Sequence, residues 1–204
     1  MYNNRASLPR QSVFLRLLKG CSPYPQKLLL KSYCYKISSF VCLSLILTLL
    51  PGCDNEIDDN RIPALNVQIN LSNPGLWNVY GVHGYGDNTS FIREEREPAG
   101  FAFTETTYTG FGGVLLIMGM NPFEAGAVAP LAYDLSCPVE CKAYVRVYVD
   151  PSDYDAVCPV CGSHYDVAMG GGAPVSGPAL TGQVKYGLQR YRAVPRNGGY
   201  MITR

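Results

Sequence analysis

The 204-residue chain is divided by charge: its first 53 residues carry seven basic and no acidic side chains, whereas the remainder carries ten basic and sixteen acidic ones. A net charge of +1 thus conceals a basic leader and an acidic body. Without a basic cluster in that body, nucleic-acid binding lacks its electrostatic drive, and no phosphate loop or dinucleotide fingerprint is present, the Gly110 to Gly113 run included.

The basic N-terminal stretch leads into Ile37 to Leu50, an apolar run shorter than the roughly 20 residues of a membrane-spanning helix, and reads as a secretory signal. It ends in Leu50-Pro51-Gly52-Cys53, which resembles a bacterial lipobox. The resemblance implies lipidation at Cys53, attachment to a membrane through that lipid, and a place in the cell envelope as an outer-membrane lipoprotein, periplasmic or surface-exposed. Residues 1–53 are assigned to this signal, which is longer than export requires and is consistent with a start codon placed too early. Residues 54–62, with Asp54, Glu56, Asp58 and Asp59, are expected to form an acidic tether. Pro63 then opens one folded domain over residues 63–204, large enough for its own core.

Within that domain the pattern predicts β structure. Leu65 to Leu71 alternates apolar and polar residues, the period of a half-buried strand, and Asn73-Pro74-Gly75 ends it as a turn. Trp77 to Val82, Gly100 to Phe103, Gly113 to Met118, Ala143 to Val149 and Tyr200 to Thr203 are further strand candidates, rich in aromatic and β-branched residues. Helical periodicity is confined to a short turn around Phe123 to Ala127. The expected fold is all-β, an antiparallel sandwich or partial barrel. Glu94 to Glu97 is read as a solvated strand edge, and Asp153-Tyr154-Asp155 as a hairpin tip.

Chemistry concentrates in two cysteine loops. Cys158-Pro159-Val160-Cys161-Gly162 resembles a rubredoxin or zinc-ribbon knuckle, in which a tight turn presents two thiolates to one metal. Proline stiffens such a turn and glycine tolerates its positive φ. Cys137 and Cys141, in Cys137-Pro138-Val139-Glu140-Cys141, supply the second pair, and Glu140 is an oxygen donor should one thiol fall short. Four cysteines with this spacing suit an iron-sulfur or mononuclear iron site, structural zinc, or metal-free disulfides in an oxidising compartment.

The residues around these loops are similar to the second half of Rieske domains. Gly113 to Ile117 and Leu131 to Asp134 resemble the strands leading to the first ligand loop. Cys161-Gly162-Ser163-His164-Tyr165-Asp166 resembles the second loop and its glycine-serine-aromatic-aspartate box, followed by Gly177-Pro178-Ala179 and Leu188-Gln189-Arg190-Tyr191. The resemblance spans about residues 110 to 194. It implies a Rieske-like fold with a small rubredoxin-like two-loop subdomain, at residues 137–141 and 158–163, that binds a 2Fe-2S cluster. Cys137 and Cys158 match the cysteine ligands, while Val139 and Cys161 stand at the histidine positions. Ser163 and Tyr165 match residues whose hydroxyls hydrogen-bond a bridging sulfide and a ligand thiolate, and Pro178 matches the loop covering the cluster. Val160 replaces the cysteine of disulfide-containing members.

Loss of both histidines changes what such a site can do. Imidazole ligands raise the potential of a Rieske cluster far above the about −400 mV of four-thiolate plant-type ferredoxins. Val139 offers neither a ligand nor a ring to couple protons, so quinol oxidation is not implied. The reading is an envelope protein in which a cysteine-ligated metal serves electron transfer to a redox partner in the envelope, or one in which zinc or disulfides fix the loops for a structural or binding role. No nucleophile-base pair marks an enzyme. His164 is read as a surface-loop histidine and His83 as a residue of a glycine-rich turn.

Overall fold

The computed structural model describes residues 56–204. Cys53, the signal segment and the first residues of the tether lie outside the described residues. The described residues form one compact unit, and among them no helix is long and apolar enough to cross a membrane.

The described residues form thirteen strands and two short helices: β1 (Ile57–Asp58), β2 (Val67–Leu71), α1 (Pro74–Tyr80), β3 (Asn88–Phe91), β4 (Tyr108–Thr109), β5 (Val114–Met120), β6 (Val128–Asp134), β7 (Tyr148–Val149), β8 (Asp155–Val157), β9 (His164–Asp166), β10 (Ala173–Ser176), α2 (Pro178–Thr181), β11 (Lys185–Tyr186), β12 (Arg190–Arg196) and β13 (Gly199–Thr203). Seven of the strands make an antiparallel sheet in the order β3-β5-β6-β12-β13-β2-β4, which nearly closes into a barrel-like sandwich. A second, four-stranded sheet, β10-β9-β8-β7, carries the knuckle loop. The all-β expectation holds.

The near-continuous apolar run of β5 follows from burial on both faces. Val114, Leu116 and Met118 point into the barrel with Ile69, Leu71, Phe91 and Ile202. Leu115 and Ile117 point the other way, into a core shared with Tyr133, Leu135, Cys137, Cys158 and Tyr165. The cysteine loops are therefore built on the outer face of the sheet, and strands β5 and β6 serve both cores. Strand β2 shows the alternation expected of it, with Val67, Ile69 and Leu71 buried between exposed Gln68 and Asn70.

Four segments depart from the expected elements. Trp77 to Val82 is mostly helix: the Asn73 side chain accepts the Gly75 N–H and Pro74 occupies the first turn, so α1 has the cap and proline that open a helix. Gly100 to Phe103 is irregular and held by ring packing, Phe101 standing edge-on to Tyr80, Phe91 and Phe103. Ala143 to Val149 buries Val145 and Val147 like a strand, yet it pairs only through Ser136↔Arg146 and β7. Glu94 to Glu97 lies in a turn closed by the Ile92↔Glu97 bridge, where Glu95 pairs with Arg146.

The acidic segment does not run free. Strand β1 pairs in parallel with β11, Ile62 is buried, and the Arg61 guanidinium stacks 4.1 Å from the Tyr186 ring centroid. Residues 56–62 thus belong to the folded unit, which starts earlier than residue 63.

Candidate metal centre

Strand β6 delivers the first loop. It ends at Asp134, a fully buried carboxylate that accepts hydrogen bonds from Phe111 N (3.0 Å), Gly112 N (3.0 Å), Ser136 N (2.7 Å) and Tyr191 Oη (2.6 Å). This hub ties the turn before β5, strand β12 and the start of the first loop together. Three residues later, Cys137 is fully buried and its N–H bonds Val145 O. Burial accounts for most of the upward push on its thiol, to about 12.

The second loop joins β8 to β9. Gly162 N bonds Cys158 O and Cys158 N bonds Ser163 O, closing the knuckle, and Gly162 takes the positive φ that the turn requires. Two contacts then fix the sulfurs. Cys137 Sγ lies 3.4 Å from Tyr165 Oη, and Cys161 Sγ lies 3.2 Å from Ser163 Oγ. The Ser163 oxygen also accepts Ala179 N at 3.0 Å, so this hydroxyl is held between the Cys161 sulfur and the α2 backbone. Partial burial raises the Cys161 pKa, but hydrogen bonds from Ser163 and the neighbouring thiols outweigh it and hold the thiol below its ordinary value.

The sulfurs of Cys137, Cys158 and Cys161 lie within 4.8 Å of one another, with Cys137 and Cys161 3.7 Å apart. No disulfide joins the described cysteines. These three residues are close enough to hold a metal ion. Cys141 is placed differently: it caps its own loop with N–H to Cys137 O at a φ of 51°, and its sulfur turns to the carbonyl of Arg61 at 3.8 Å. The wider cysteine spacing of the first loop carries the fourth thiol round the turn and away from the other three. Glu140 is engaged by Lys142 at 3.6 Å.

The remaining expected site residues divide. Val139 is partly buried against the same core as Cys161, and Val160 is exposed. Segment 177–179 closes on the knuckle through Gly177 and Ala179, while Pro178 itself is exposed. Gly177 has a φ of 78°, and a Cβ there would lie 2.8 Å from Ser163 Cα, so this approach demands glycine. His164 faces Asp155 at 3.9 Å on the hairpin side, in a group with Asp153 rather than with the thiols. His83 is exposed. The role of Asp134 as a hub has no sequence signal beyond an aspartate that closes an apolar strand just before the first cysteine loop.

Neither a protein-family model nor a curated protein sequence matches the chain.

Proposed function

We propose that this chain is a lipid-anchored protein of the bacterial cell envelope whose Rieske-like domain holds one metal ion on Cys137, Cys158 and Cys161. The observation that carries the reading is the sulfur spacing. Two thiolates bound to a single tetrahedral ion at about 2.3 Å stand about 3.8 Å apart, against 3.7 Å between Cys137 and Cys161. A two-iron cluster spreads its ligands over both irons, and Val139 has no donor to offer the second. Soft thiolates select zinc or iron, and zinc fits a site that fixes two loops without redox work. When bound, the ion neutralises the thiolates and ties residues 137–141 to residues 158–163. Tyr165 and Ser163 orient the sulfurs, and Cys141 stays outside the ligand set.

A second reading rests on the Tyr165 hydroxyl. Its contact with Cys137 has the hydroxyl-to-thiolate pattern of an iron-sulfur box, which favours a 2Fe-2S centre and one-electron transfer to an envelope partner.

Elemental analysis of the full chain, purified anaerobically from the envelope of a bacterial host, separates them. One zinc or iron per chain in the wild type and in Cys141→Ser, and none in Cys161→Ser, is expected. Two irons per chain would transfer the case to electron transfer. Metal-free protein lacking free thiols would refute both readings.

A further inference from the structure

The seven-stranded sheet is incomplete at its middle. Strands β6 and β12 pair only at Tyr133↔Arg190 and Ala132↔Tyr191, then part. Between them opens a groove of about 790 Å³, lined on one side by Ala129 to Tyr133 and on the other by Arg190 to Pro195. The sequence explains why the ladder stops. Asp134 N bonds Gln189 O, so the alternation of an antiparallel pair aims the backbone groups of residues 132, 130 and 128 at β12, and those of 191, 193 and 195 at β6. Continued in register, Pro130 would face Ala193 and Pro195 would face Val128. Each proline lacks the N–H its rung needs. The groove therefore keeps open strand edge, with Ala193 N–H and C=O among the groups aimed into it.

Its chemistry is one-sided. Arg190 and Arg192 stand two residues apart, hence on the same face of β12, and both are exposed. Neither forms an ion pair among the described residues, and no carboxylate lines the groove, although acidic residues outnumber basic ones in the folded unit. Phe123, Val128 and Val194 are exposed apolar side chains around it.

We propose that this groove docks an extended acidic peptide of a partner protein, which adds as a strand to the open edge of β12. Main-chain bonds to Ala193 hold it in register. Tyr133 holds the position opposite Arg190, so a carboxylate opposite Arg192 meets that guanidinium directly and Arg190 diagonally, while the alternate, apolar residues turn to the Ala193 face. The proposal is independent of the metal reading, since none of the described cysteines lines the groove.

Fluorescence anisotropy on the purified full chain tests it, using a labelled decapeptide of alternating glutamate and valine and a lysine-valine counterpart. Saturable binding of the acidic peptide alone is expected, weakened about tenfold or more by Arg190→Glu with Arg192→Glu and weakened by salt. Both arginines are exposed, so circular dichroism of the variant should match the wild type. Ala193→Pro removes the inward N–H without touching charge and should also weaken binding. Equal binding of the two peptides, no binding, or indifference to the arginine changes would overturn the proposal. So would a concentration-dependent dimer that the same changes disperse, because the groove would then belong to a second copy.

Discussion

Replacing Asp134 by asparagine tests the hub that positions the first cysteine loop. The carboxylate oxygens divide four donors, Gly112 N and Ser136 N on Oδ1, and Phe111 N and Tyr191 Oη on Oδ2. An asparagine oxygen can keep one pair, and its NH₂ then confronts the other. If Gly112 and Ser136 are kept, Tyr191 can rotate its hydroxyl to accept, but the Phe111 N–H cannot. One sheltered donor left unmet costs about 1–3 kcal/mol, and loss of charge weakens the bonds that remain by about 1 kcal/mol. Burial pulls the other way, since it raises the Asp134 pKa and relief of a buried charge returns part of the loss. The net expectation is a loss of about 2–3 kcal/mol, or a Tm lower by about 4–12 °C for a domain of this size. Urea unfolding followed through Trp77, the only tryptophan in the chain, measures it. Tyr191→Phe completes a double-mutant cycle in which the two losses should fail to add. A stability within about 0.5 kcal/mol of the wild type would refute the hub argument.

Other outcomes follow from the same geometry. If the three thiolates hold an ion as proposed, stripping it with a chelator under reducing conditions should loosen the two loops while leaving the barrel folded, seen as faster amide exchange at residues 137–141 and 158–163 with β2 and β13 unchanged; uniform loss of protection would count against a local role for the ion. Gly177→Ala should destabilise the domain by about 1–3 kcal/mol, because it strains a left-handed φ and drives a Cβ into Ser163. Unaltered denaturation would show that segment 177–179 can retreat. Arg61→Ala should cost about 0.5–1 kcal/mol through loss of the Tyr186 stack, and limited proteolysis should then cut within residues 56–62 more readily.

How much of this was legible in the sequence depended on whether a signal was local. Strand β2 alternates, and the apolar run of β5 demands burial on two faces, so both could be read from residue order. In Trp77 to Val82 the aromatic and β-branched content suggests a strand, but the Asn73-Pro74 start, a cap and proline that are themselves helix signals, prevails. The knuckle was legible as spacing. The turn of the Cys141 sulfur away from the other three was not, because it depends on a positive φ and on the carbonyl of Arg61, 80 residues earlier. The docking of residues 56–62 was hidden for a related reason: acidic composition argues for solvation, while Ile57 and Ile62 alone record the contact.

That docked segment has a mechanical consequence. Tension applied from the N-terminal side reaches β1 first, and a two-residue parallel ladder pulled along its axis is loaded in shear. Beyond it the chain passes Arg61, whose ring stack and carbonyl contact join it to Tyr186 and Cys141, and then the buried Ile62. The first cysteine loop therefore sits on the force path, and a pull too weak to open the barrel can still be felt at Cys141.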